Sequence, residues 1–173
     1  PSPKVATYDL LPQMSAEEIT NRLIDRLSLG VYGFILVNFA NPDMVGHTGN
    51  IGAAIKACEC VDVCVGRIVT SVLSKNGTCI ITADHGNVEE MLTQSGGINT
   101  EHTMFPVPLI IVNRGYTGKY TLLESGKLGD IAPTILTLLG ISIPEDMTGT
   151  PPPHHPPPPP TRHPNSRIPH PPS

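Results

Sequence analysis

The sequence predicts an α/β domain with a mainly parallel sheet. Short apolar runs alternate with stretches of helical periodicity. The runs are nearly continuous in apolar residues, the pattern of strands buried on both faces rather than on one. Turn residues such as Lys75-Asn76-Gly77 separate the two kinds of segment. The boundaries expected from composition are residues 1–149 for this domain and 150–173 for a disordered Pro/His-rich tail.

The elements follow in order. Lys4 to Leu10 is short and β-prone. Ser15-Ala16-Glu17-Glu18 has the form of a capping box, with Ser15 as N-cap and Glu18 reaching back. Ile19, Leu23, Ile24 and Leu27 then recur at helical spacing, and Gly30 supplies the stop. Val31 to Phe39 is an apolar run expected to be a buried strand, broken by Asn41-Pro42-Asp43. Ile51 to Leu73 is a long amphipathic stretch with a stripe of Ile51, Ala54, Ile55, Cys58, Val61, Val65, Ile68, Val69 and Val72. Thr78 to Thr82 and Val107 to Val112 are two further buried strands. Asp130 to Leu139 closes the domain as a helix, with Pro133 tolerated in its first turn.

Composition narrows the function. The chain has 173 residues, 39% hydrophobic and 15% charged, enough for a core. From Thr150 onward lie 12 of the 20 prolines and 4 of the 7 histidines, so this tail cannot pack a core and is expected to be extended. Without it the formal charge falls from −4 to −6, which argues against a nucleic-acid surface. An acidic body binds a phosphorylated substrate only if something supplies positive charge, and metal ions would do so. No run is long enough to span a bilayer, and no apolar signal-like segment opens the chain, so a cytoplasmic location is expected. Cys58, Cys60, Cys64 and Cys79 lack zinc-ribbon spacing and read as reduced core or surface thiols.

Outside the tail only His47, His85 and His102 remain, each just after or between predicted strands, where ligands gather in α/β sheets. Asp43 and His47, four apart, share one face if the segment turns helically, with Gly46 leaving room beside the imidazole. A plain loop with a capping Asp is the other reading of this pair. Asp84 and His85 end an apolar run, and Gly86 supplies the break that lets neighbouring side chains converge. An Asx-type turn capping the next helix is the alternative there. His102 directly precedes a strand stiffened by Pro106 and Pro108; by itself it reads as an ordinary loop histidine. Together these groups offer mixed nitrogen and oxygen ligation, which suits Mn²⁺, Zn²⁺ or Fe²⁺ better than Ca²⁺. Five ligands exceed what one open site takes, so two ions are the economical expectation.

The motifs Asn41-Pro42-Asp43-Met44-Val45-Gly46-His47-Thr48-Gly49 and Thr82-Ala83-Asp84-His85-Gly86-Asn87 resemble those of cofactor-independent phosphoglycerate mutase. Lys4 to Leu10, His102-Thr103 with Pro106-Val107-Pro108, Asp130 to Thr134 and Glu145 to Gly149 extend the likeness over residues 1–149. The Thr-Ala-Asp-His-Gly-Asn element is shared more widely in the alkaline phosphatase superfamily. The resemblance implies a three-layer alkaline-phosphatase-like domain, present here in part. It implies two divalent ions, commonly Mn²⁺, with Mg²⁺, Co²⁺ or Zn²⁺ as substitutes and no 2,3-bisphosphoglycerate. By motif match Asp43, His47 and His102 would hold one ion, and Asp84 and His85 the other. The family interconverts 3- and 2-phosphoglycerate through a phosphoserine, and a monomeric parent is expected. The family's serine nucleophile, a further metal-binding Asp and the inserted transferase domain have no counterpart in these residues. No catalytic residue is therefore assigned, and the isolated chain is expected to be inactive. Two other readings stand beside this one. The first is a phosphatase or phosphopentomutase of the same superfamily. The second is a catalytically dead α/β module whose proline-rich tail binds an SH3 or WW domain.

Overall fold

The computed structural model describes residues 2–116 and 126–152, which fall in two compact units, Pro1–Thr117 and Gly118–Ser173. The tail from residue 153 onward lies outside the described residues.

In the first unit, Lys4 to Leu10 is not a strand: it ends in a 3₁₀ turn at Tyr8–Leu10. Helix α1 spans Ala16–Ser28 and α3 spans Ile51–Ser74, close to the expected limits. The expected capping box at α1 is absent. Ser15 makes no side-chain cap bond, and Glu18 pairs instead with Arg22, one turn along the exposed face, at 2.8 Å. Gly30, at φ +66°, ends the segment in a backbone conformation that favours glycine. Ala16 and Thr20 of α1 are fully buried, and the Thr20 hydroxyl donates to the Ala16 carbonyl at 2.8 Å. Helix α3 packs along α1, as does a six-residue helix α2, Asn41–Gly46, along α3.

The packing of α2 on α3 is what positions the site. Val45, fully buried, meets Ala53, Ala54 and Ala57 of α3, with Met91 completing the cluster and Tyr8 and Val88 against it. Small alanines let the two backbones approach closely. The buried face of α3 is thus Ala53, Ala54, Ala57, Cys64 and Ile68, whereas Ile51, Ile55 and Cys58 of the expected stripe are exposed. Two more contacts fix the ends of the α2 segment. The buried Asn41 amide donates to the Pro12 and Gln13 carbonyls at 2.9 and 2.7 Å. The Asn50 side chain caps α3 by accepting from the Ala53 N–H at 3.1 Å.

Strands β1, Cys79–Thr82, and β2, Leu109–Val112, pair antiparallel, with Cys79 opposite Val112. The α/β class holds, but the described residues contain no parallel pair, contrary to the mainly parallel sheet expected. A parallel pair needs a crossover, usually helical, and the link from Ala83 to Pro108 offers a 3₁₀ turn and two isolated antiparallel bridges but no α-helix. Val31 to Phe39 is likewise not a strand. It is irregular, and Val31 and Leu36 are 71% and 83% exposed, because no described strand lies alongside it. The two strands that do form are half-exposed rather than buried.

The second unit holds a 3₁₀ turn at Leu128–Asp130 and helix α4, Ile131–Leu139, ended by Gly140 at φ +69°. Asp130 accepts from the Lys127 and Thr150 backbone N–H groups at 2.9 and 2.8 Å. These bonds hold its carboxyl below the usual aspartate range. No helix of the described residues is long and apolar enough to cross a membrane.

Candidate metal centre

Helix α2 carries Asp43 in its first turn and places His47 at its C-cap, where the His47 N–H donates to the Asp43 carbonyl at 3.1 Å. The i, i+4 spacing then brings His47 Nε2 to 3.1 Å from Asp43 Oδ1. Pro42 suits this short helix because its missing N–H falls among the unpaired donors of the first turn.

His102 arrives from a hairpin. Leu92 pairs with Ile98 around a turn whose Gly96 has φ +81°, and the Asn99 N–H donates to the Met91 carbonyl at 2.8 Å. One step on, Thr103 bridges Gly86, its N–H donating to the Gly86 carbonyl at 2.8 Å. This bridge ties the His102 loop to the Asp84-His85 loop. Glu89 reinforces it: the Thr103 hydroxyl donates to one carboxylate oxygen at 2.7 Å, and the Asn87 N–H to the other at 2.9 Å. Desolvation pushes the Glu89 carboxyl up. The Thr103 and Asn87 hydrogen bonds, its own N–H and nearby His85 outweigh that push, so it titrates below the ordinary glutamate range. A Cβ on Gly86 would run into the Glu89 carboxylate and the Thr103 hydroxyl, so a side chain there would displace the groups that make this bridge.

The side chains converge on Asp43 Oδ1. His102 Nε2 lies 3.1 Å from it, and His47 Nε2 lies 3.1 Å from His102 Nε2. His85 Nε2 is 4.0 Å from the same oxygen, and its ring stacks on His102 with centroids 3.7 Å apart. Asp84 stands at the rim: its Oδ1 is 3.7 Å from His85 Nε2, and its side chain is 84% exposed.

The tautomers decide what this cluster can hold. His47 Nδ1 faces the Thr100 carbonyl at 2.6 Å, and His85 Nδ1 faces the Gly86 carbonyl at 3.3 Å. A carbonyl only accepts, so each Nδ1 carries the proton and, in the neutral ring, Nε2 presents a lone pair. Two such lone pairs aimed at a carboxylate oxygen repel, and either a metal cation between them or a proton on one ring removes that repulsion. This is also the usual arrangement of metal-ligating histidines, whose second nitrogen donates to a carbonyl. An ion about 2.1 Å from each donor sets donors roughly 3.0–3.4 Å apart in octahedral or tetrahedral geometry. Asp43 Oδ1, His47 Nε2 and His102 Nε2, mutually 3.1 Å apart, match that spacing. Asp43, His85 and His102 also form a candidate set, with donor atoms within 4.8 Å of one another.

All five residues singled out from the sequence thus lie in one neighbourhood, four of them closely and Asp84 at its edge. Sequence reasoning missed three contacts. Thr100 orients His47, Glu89 and Thr103 close the loop bridge, and Asn87 donates its side-chain amide to Asp43 Oδ1 at 2.8 Å. The polar run around each motif was the available signal. Gly46 has a different reason from the one expected, since a Cβ there would meet the Asn87 and Val88 side chains rather than an imidazole.

Residues 1–143 match the family model described as the metalloenzyme superfamily. The chain is similar to 2,3-bisphosphoglycerate-independent phosphoglycerate mutase of Aeromonas salmonicida, with 54% identity over 151 residues, 87% of this chain and 29% of that protein. The Clostridium perfringens protein of the same name is 56% identical over 150 residues, again 29% of its length. Among solved structures, Leishmania mexicana phosphoglycerate mutase at low cobalt concentration matches with a TM-score of 0.76 and 34% identity, covering 87% of this chain and 30% of that one. The chain therefore spans under a third of the length of the relatives it matches, and it belongs to the metalloenzyme superfamily.

Proposed function

We propose that this chain supplies metal-binding residues of a phosphoglycerate mutase that interconverts 3- and 2-phosphoglycerate through a phosphoserine intermediate. The supporting observation is the triangle of Asp43 Oδ1, His47 Nε2 and His102 Nε2, mutually 3.1 Å apart, in a chain more than 50% identical to such mutases. In this proposal Asp43, His47 and His102 hold one ion, and Asp84 with His85 supplies part of a second site. Mn²⁺ is the ion proposed, with two ions per active enzyme. Bound there, the metal supplies positive charge for a phosphoryl group and lowers the pKa of a nucleophile. The chain's own residues fix the donor geometry: Thr100 sets the His47 tautomer, and the Gly86–Thr103 bridge holds His85 and His102 ring to ring. The nucleophile and the groups that grip the glycerate belong to the rest of the enzyme. A cytoplasmic, monomeric parent completes the proposal.

The test is a chimera in which residues 1–149 replace the corresponding segment of the Clostridium perfringens relative. Conversion of 3-phosphoglycerate is followed through enolase. Activity should vanish with chelator and return with Mn²⁺, and His47→Ala should lower kcat/KM by about 100-fold or more. Release of inorganic phosphate instead would mark a phosphatase. No turnover with metal bound would mark an inert module.

A further inference from the structure

We infer that Asn87 is a positioning residue for the metal centre: its side-chain amide holds the Asp43 carboxylate in the orientation that faces His47 and His102. The inference rests on the metal-binding role proposed above. Asn87 Nδ2 donates to Asp43 Oδ1 at 2.8 Å, the same oxygen that lies 3.1 Å from both imidazole nitrogens. The amide orientation is forced, because the flipped form would set its oxygen against a carboxylate. The donated bond uses one of the lone pairs of Oδ1, restrains rotation of the carboxylate and leaves the other lone pair for a cation.

The cost of this arrangement is visible. Asn87 is buried, and its Oδ1 has no hydrogen-bond partner. An apolar residue of similar size would avoid that orphaned oxygen but would lose the grip on Asp43. The chain also makes room for the amide. Gly46 faces it, and a Cβ at that position would collide with Asn87 Oδ1. The backbone of Asn87 is tied down in turn, its N–H donating to Glu89 at 2.9 Å. Glycine at 46, asparagine at 87 and aspartate at 43 therefore form one interlocked unit. It joins α2 to the loop after β1 without Asn87 itself being a ligand.

The experiment uses the full 173-residue chain with Co²⁺ as a spectroscopic probe, and metal-free protein for NMR. In the metal-free chain the Asn87 side-chain amide protons should exchange slowly, and Asp43→Ala should abolish that protection. Asn87→Ala should weaken Co²⁺ binding about 10- to 100-fold. It should also change the visible d–d band, because a freed carboxylate can turn to offer both oxygens. Far-UV circular dichroism and amide exchange in α3 should stay as in the parent, which separates positioning from unfolding. Unchanged Co²⁺ affinity and band in Asn87→Ala, while Asp43→Ala loses binding, would overturn the role of Asn87 and leave the metal centre standing. Fast exchange of the Asn87 amide would also overturn it, whatever the fold of the variant. Equal Co²⁺ binding by parent and Asp43→Ala would overturn the metal centre, and this inference with it.

Discussion

The loops around Asp43 and the segment from Val31 to Phe39 are neighbours in the sequence and opposites in structure. Around Asp43, most polar groups have a partner: an i, i+4 pair, a hairpin and a one-residue bridge within residues 41–103, with Asn41 and Asn50 reaching back to Pro12, Gln13 and Asp9. The apolar segment makes none of these contacts and leaves Val31, Tyr32, Phe34 and Leu36 exposed. A contiguous apolar surface of this kind is stable in water only when another surface covers it. The difference is one of range. Each metal-bearing loop takes its own shape from local geometry and the loops then pair with one another through side chains 44 to 55 residues apart, whereas a strand is defined by the strands beside it.

The largest expected effect tests the self-sufficiency of the loops. Isothermal titration of the 173-residue chain with Mn²⁺ should show binding that Asp43→Ala or His102→Ala weakens by about 100-fold or more, since each removes a donor. Cys60→Ala, on α3 away from the cluster, should bind as the parent does. Equal losses in all three variants would mean that the loops depend on global folding. The comparison would then be broken.

Legibility in the sequence followed the same division. Helices α1 and α3 were readable because their 3.6-residue period is a local property. The five candidate ligands were readable because rare residue types cluster at element ends. Strand pairing was not: nothing within Val31 to Phe39 or Leu109–Val112 states which strand lies alongside, or in which direction. The stripe on α3 was partly misassigned because the small residues Ala53 and Ala57, not Ile51 and Ile55, meet α2. Close helix approach selects alanine, which carries little weight in a hydrophobic pattern. Asn87 was legible as the last residue of the Thr82–Asn87 motif but not its role, which exists only once Asp43 lies beside it.

The next effect sharpens the contrast through stability. Val45→Ala removes fully buried methyl groups at the α2–α3 contact and should cost roughly 2 kcal/mol in denaturant unfolding. Leu36→Ser, at an exposed position, should change the stability of the chain by less than about 0.5 kcal/mol. In the chimera described above, where relatives supply more of the domain, the same Leu36→Ser should cost roughly 2–5 kcal/mol if another element covers it. Equal small effects in both backgrounds would show that the apolar segment stays uncovered.

A smaller effect concerns the bridge between the two loops. The Glu89 carboxyl is lowered from its ordinary value, so its contribution to stability is fully present above the unfolded value of about 4.3. It is lost as pH falls through the lower folded value. NMR should show the Asn87 backbone amide shift moving with a midpoint below about 4.3, and that movement should vanish in Glu89→Gln. A midpoint at or above the ordinary glutamate value would mean that the Thr103 and Asn87 bonds are not holding the charge.

The smallest effect is expected at the C-terminal end, and it depends on where the chain is cut. Deleting residues 153–173 should leave the melting temperature unchanged, because their proline-rich sequence carries no strand or helix periodicity. Starting the deletion at residue 150 is different. Thr150 donates its backbone N–H to Asp130 at 2.8 Å, and a Cβ on Gly149 would strike the Gly129 backbone, so this segment lies directly against the turn that starts α4. That cut should lower the melting temperature slightly and raise the Asp130 pKa toward its ordinary value, since one of the bonds holding the carboxylate ionised is gone. The Asp130 side-chain carbon shift, titrated in both truncations, reads this directly. Identical titrations would show that the Thr150 contact has no weight and that the domain ends, as composition implied, at residue 149. A shift confined to the shorter chain would move that boundary past Thr150.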